Sequence, residues 1–174
     1  MISSRIVWSF CNVPTRGDWL QGLCILLVYA LVSISFGIWQ GFFQRNLVLS
    51  KLVVIKVIAT SLIAPALLEE LFFRAVLLPH PVENTTLRST LIWSTIGLFL
   101  FIVYHPLNGL TFFPQGRLTF FCPVFLTLAA LLGLACTVAY LYTGSVWISV
   151  IIHWLAVIVW LLCLGGIDRL NFNR

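Results

Sequence analysis

The segment PALLEELFFRAVLLPHP, Pro65 to Pro81, places two adjacent glutamates and an arginine in an otherwise apolar run. The chain has only five acidic residues, so Glu69 and Glu70 side by side are a concentration of scarce charge. Glu70 and Arg74 are four apart and share a helix face, with the acid N-terminal as such a pair prefers. Glu69 points about 100° away from Glu70 and has Phe73, not a base, at its fourth position. The residue types therefore divide the labour, with Glu70–Arg74 as a structural pair and Glu69 as the carboxylate left free for acid/base chemistry. The plainer alternative is a three-charge network that only holds helices together.

Two histidines sit in apolar segments elsewhere: His105 in FIVYHPLNG and His153 in WISVIIHWLAVIVW. His80, between Pro79 and Pro81, reads as loop. One glutamate with two histidines offers either a metal site, for which zinc is the natural ion, or a Glu-activated water held by imidazoles. The zincin spacing HExxH is absent.

These residues need a membrane to make sense. Of 174 residues 61% are hydrophobic and 9% charged, with a mean hydropathy of +1.08. A soluble domain carries about 25% charged residues, so the expectation is an all-α, polytopic transmembrane bundle. A charge at the centre of a membrane helix costs about 2.5–3.5 kcal/mol on insertion scales, and such residues are functional by default.

Spans of about 20 apolar residues fall at Trp19–Phe43, Lys51–Leu78, Arg88–Tyr104, Phe121–Tyr142 and Val146–Leu164, five crossings in all. The third is expected to stop at Pro106, Asn108 and Gly109. Residues 1–18 read as a short amphipathic tail without a signal-peptide cleavage site, and residues 19–170 as one transmembrane domain.

At 1.5 Å per residue Glu69 and His153 fall at similar depths, roughly 12–14 Å from one face. His105, roughly 25 Å from that face, joins them only if its helix tilts, protrudes or ends at Pro106. The loop PLNGLTFFPQGRLTFF is apolar enough to dip back into the protein.

The net charge of +5 is scattered at segment ends, as interfacial anchors are, and forms no nucleic-acid patch. Arg5, Arg16 and Arg88 lie on one side; Arg45, Lys51, Arg117, Arg169 and Arg174 lie on the other, which leans toward a cytoplasmic C-terminus. The five cysteines (Cys11, Cys24, Cys122, Cys136, Cys163) form no CxxC pair and read as small packing residues.

Glu69-Glu70-x-x-x-Arg74, Phe101-x-x-x-His105 and TGSVWISVIIHW resemble three serial motifs of the CAAX prenyl endopeptidase and bacteriocin-processing (CPBP, or Abi) family of intramembrane proteases. The resemblance covers residues 50 to 162. It implies an integral membrane endopeptidase of a bacterial cell membrane, acting on a peptide or prenylated protein substrate, in which Glu69 activates water and His105 and His153 assist. Glu70 joins them as a site residue, with Arg74 and Phe101 as structural support.

The resemblance favours a metal-free mechanism, although members were long described as metalloproteases. In a metal-dependent version Glu69, His105 and His153 would be the ligands.

One departure stands out. The family places Asn or Asp four residues after the last histidine, as a presumed oxyanion donor, and here that position is Val157. Asn108, three after His105, is a possible substitute. Val157 and the short chain keep a second reading open: an impaired homologue that acts as a scaffold, with a membrane-protein partner or a second copy completing it. A proton- or ion-translocating bundle is disfavoured, because no ladder of ionisable groups crosses the membrane.

Overall fold

A computed structural model describes residues 2–170. Arg174, counted above among the charges of the C-terminal side, lies outside them. The described residues form helices α1 (Ile2–Cys11), α2 (Arg16–Trp39), α3 (Lys51–Ser61), a short α4 (Leu68–Glu70), α5 (Leu87–Leu110), α6 (Arg117–Phe120), α7 (Pro123–Thr143), α8 (Val146–Cys163) and α9 (Gly166–Arg169). Five segments are long and apolar enough to cross a membrane: α2, the run from Lys51 to Glu83, α5, α7 and α8. The protein is an integral, multi-pass helical membrane protein, as its composition requires.

The helix boundaries have local causes. Thr15 and Asp18 close a reciprocal capping box at the start of α2. Pro123 occupies the first turn of α7, where its missing N–H costs nothing. Gly144, at φ +65°, ends α7 in the left-handed conformation that glycine adopts freely.

α7 is the centre of the bundle and packs against α8, α2 and α5. Its buried face combines small residues (Ala129, Gly133, Cys136, Ala139) with larger ones (Phe125, Leu128, Leu132, Tyr140). Small residues let helices approach closely where the hydrophobic effect gives no drive for association in lipid. A Cβ on Gly133 would lie 2.9 Å from side-chain carbons of Leu98 and Phe101, which fixes how near α5 comes.

Two boundaries differ from those expected. The second span is not one regular helix: π-helical turns at Leu62–Leu67 and Leu71–Val76 flank α4. The backbone leaves the helical region at Ala64 (φ −132°, ψ 116°), before Pro65, because proline drives the preceding residue toward extended conformations and supplies no N–H.

The third helix does not stop at Pro106 but continues to Leu110. The loop after it folds back on the bundle, burying Thr119 and Phe120 while Leu118 stays exposed. The expected N-terminal tail contains a helix: α1 lies against the Leu71–Val76 turn and α8. The five cysteines are unpaired thiols.

Candidate active site

α4 and the turn after it carry Glu69, Glu70 and Arg74, all buried. Arg74 Nε stands 3.0 Å from Glu70 Oε2. Neither atom makes an aligned hydrogen bond, so the attraction there is chiefly between charges. The guanidinium is also held by donation from Nη2 to the Gly133 carbonyl at 2.8 Å and by the Phe101 ring, 4.9 Å from Cζ to centroid. α7 thus supplies, through Gly133, part of the cradle for a charge pair on another span.

Glu70 has a second partner that the sequence spacing did not reveal. His153, on α8, lies with Nδ1 2.8 Å from Glu70 Oε1. Its other nitrogen, Nε2, is 3.9 Å from Glu69 Oε2, beyond direct hydrogen-bond reach. Glu69 Oε2 is buried and takes no hydrogen bond from the described residues. His153 therefore has one edge fixed by Glu70 and the other turned to Glu69.

His105 stands on α5, one residue before Pro106. Its Nδ1 lies 2.8 Å from the Phe101 carbonyl. A carbonyl only accepts, so Nδ1 carries the proton and Nε2 of the neutral ring is left with its lone pair. Phe101 joins the two imidazoles, with ring centroids 4.8 Å from His105 and 6.0 Å from His153.

Glu69, His105 and His153 line one cavity of about 520 Å³, together with Tyr104, Asn108 and Val157. That size is usual for a small-molecule site. The wall is mostly apolar and is built from α2, α5, α7, α8 and the Ala64–Pro65 bend. Glu70, Arg74 and Phe101 stand behind it: Glu70 is fully buried and does not line the cavity. Glu70, grouped with the catalytic residues on sequence, reaches the cavity only through its hydrogen bond to His153.

No three His, Cys, Asp or Glu among the described residues converge closely enough to hold a metal ion.

A model of the type II CAAX prenyl endopeptidase Rce1-like family matches residues 50–159. The chain belongs to that family. The match runs from α3 through the glutamates and both histidines to the second half of α8, so this Rce1-like chain carries its candidate site within the matched region. No curated protein and no solved structure matches the chain.

His80 lies in a loop, as the sequence suggested, but it is not a free one. It is 3% exposed, accepts from the Val82 N–H through Nδ1 and donates from Nε2 to the Gly144 carbonyl at 2.9 Å. It is a structural clasp between the α7–α8 turn and the end of the second span. The flanking prolines suggested only loop, and nothing local signals a partner 64 residues away.

Proposed function

We propose that this Rce1-like protein hydrolyses peptide bonds of membrane-associated substrates with a water activated by Glu69. One observation carries the reading: the unpaired Glu69 oxygen faces His153 Nε2 across 3.9 Å, while Glu70 holds the far edge of the same ring. A water hydrogen-bonded to both fits at the apex of that gap.

Glu69 takes a proton from the water as its oxygen forms a bond to the scissile carbonyl carbon and the carbonyl electrons move to oxygen. As the tetrahedral intermediate collapses and the C–N bond breaks, Glu69 returns that proton to the leaving nitrogen. His153 and His105 each have Nδ1 committed elsewhere and Nε2 left over; with Glu69 taking one hydrogen of the water, an imidazole Nε2 accepts the other and orients it. The apolar walls exclude bulk water and suit a lipid-modified or membrane-embedded peptide.

Purified protein in detergent, incubated with prenylated and membrane-spanning fluorogenic peptides, is the test. Glu69→Gln should abolish cleavage while the variant accumulates and unfolds like the wild type. Equal product from both would end the proposal. Cleavage should also persist in a zinc chelator, whereas chelator-sensitive activity restored by zinc would mean that Glu69, His105 and His153 close on a metal.

Val157 in the cavity wall favours one further reading, an impaired homologue serving as a scaffold. That would show as a stable partner captured equally by wild type and Glu69→Gln, with no cleavage by either.

A further inference from the structure

Addition of water to an amide creates an oxyanion, and catalysis of that step needs donors placed about 2.7–3.1 Å from it. In both histidines the Nδ1–H is turned away, to Phe101 or to Glu70, and in the reading above Nε2 serves as an acceptor toward the water. Val157, one turn beyond His153 and also in the wall, has no donor.

The remaining polar groups of the wall are few. Tyr29 lies on α2, which carries neither Glu69 nor the histidines. Trp160 lies seven residues beyond His153, about 10 Å along α8. Tyr104 and Asn108 are better placed, one residue before and three after His105 on the same helix. They are four residues apart, so their side chains share one face of α5 a turn apart, and both line the cavity that Glu69 lines.

Asn108 is 6% exposed and held firmly. Its backbone carbonyl accepts from Phe113 N at 2.8 Å and from Thr111 N at 3.3 Å, which ties down the end of α5. Its neighbour Gly109 lets Phe120 pack so close that an added Cβ would meet the phenylalanine Cβ at 3.0 Å. The continuation of α5 past Pro106 is therefore what keeps Asn108 at the cavity on a rigid helix.

We propose that the Asn108 carboxamide is the oxyanion donor of this site, positioned by the Tyr104 hydroxyl, in place of the group absent at Val157. Tyr104 donates to the Asn108 side-chain oxygen, which leaves both Nδ2 hydrogens for the substrate carbonyl. Asn108 is then a catalytic residue and Tyr104 a positioning residue. The inference rests on the endopeptidase reading above.

The full chain in detergent would be assayed with a cleaved peptide, and its affinity measured for two uncleaved peptides, one with a tetrahedral hydroxymethylene at the scissile position and one with a planar N-methyl amide. Asn108→Ala should lower kcat by about 10²–10³-fold, the usual effect of losing one such donor, with KM little changed. The tetrahedral ligand should lose its advantage over the planar one. Tyr104→Phe should shift kcat and that affinity ratio the same way but less. Val157→Asn added to Asn108→Ala should recover part of the rate.

Wild-type kcat in folded Asn108→Ala, or equal loss of affinity for both ligands, would overturn the assignment and leave the protease reading standing. If wild type and Glu69→Gln prove indistinguishable, the protease reading falls and this one with it. Should Asn108→Ala fail to accumulate, the affinity ratio of Tyr104→Phe, which removes one hydroxyl, decides.

Discussion

Arg74 is the residue on which the charge arrangement turns. Its guanidinium faces Glu70, the Gly133 carbonyl and the Phe101 ring, so alanine would leave Glu70 buried beside His153 without its counter-charge. Arg74→Ala is expected to cost about 3–5 kcal/mol, as removal of one partner of a buried pair does, and to appear as a large fall in Tm in detergent. Arg74→Lys should recover only part of that, because an ammonium cannot both lie over Phe101 and reach Gly133. Glu70→Gln should fold better than Arg74→Ala yet slow cleavage, since the amide no longer fixes His153 as a carboxylate does. At this scale the sequence was legible where partners share a helix, as Glu70 and Arg74 do. It was silent on Glu70 and His153, because 83 residues and three interhelical connections separate them and no local pattern encodes the meeting.

Helices fail differently from side chains, by moving apart. Gly133→Val would push branched carbons into Leu98 and Phe101, where even one Cβ comes to 2.9 Å. Overpacking of this kind costs about 1–3 kcal/mol. Because Phe101 supports both imidazoles and Arg74, activity should fall further than the Tm shift alone explains, which parallel kcat and Tm measurements would reveal. The existence of the five spans was readable from apolar length, a strong signal in a chain so poor in charge. Their internal form was not. Pro106 reads as a stop, yet α5 continues, since a proline removes only its own N–H and the helix end is tied to the loop through Asn108. Pro65 reads as a helix residue, yet the chain bends at Ala64 and rejoins through π-helical turns. Proline marks a cost to the backbone, and the surrounding packing decides how it is met.

The whole molecule extends beyond the region that matches the family. α2 lies outside residues 50–159 but walls the cavity, and α1 braces the glutamate-bearing span. Arg5 grips Glu83 with two hydrogen bonds of 2.6 and 2.8 Å, Ser9 meets the Tyr140 hydroxyl at 2.8 Å, and the Phe10 carbonyl accepts from the Trp147 indole. Deleting residues 2–13 should therefore lower Tm and raise protease sensitivity near Glu83, even though every candidate catalytic side chain is kept. Limited proteolysis beside a thermal scan would check it. The connection between α2 and α3 carries a different constraint. Gln44, Asn46 and Val48 donate their N–H groups to the carbonyls of Leu164, Cys163 and Leu162, and Asn46 also donates to Asp168. The connection thus supplies the unpaired carbonyls at the end of α8 with partners. For mapping which side of the membrane each loop occupies, an epitope spliced at 44–48 would unzip the last span and report on a damaged fold. The exposed Asn84–Thr86 stretch makes no such long-range bonds among the described residues and is the place to put the tag.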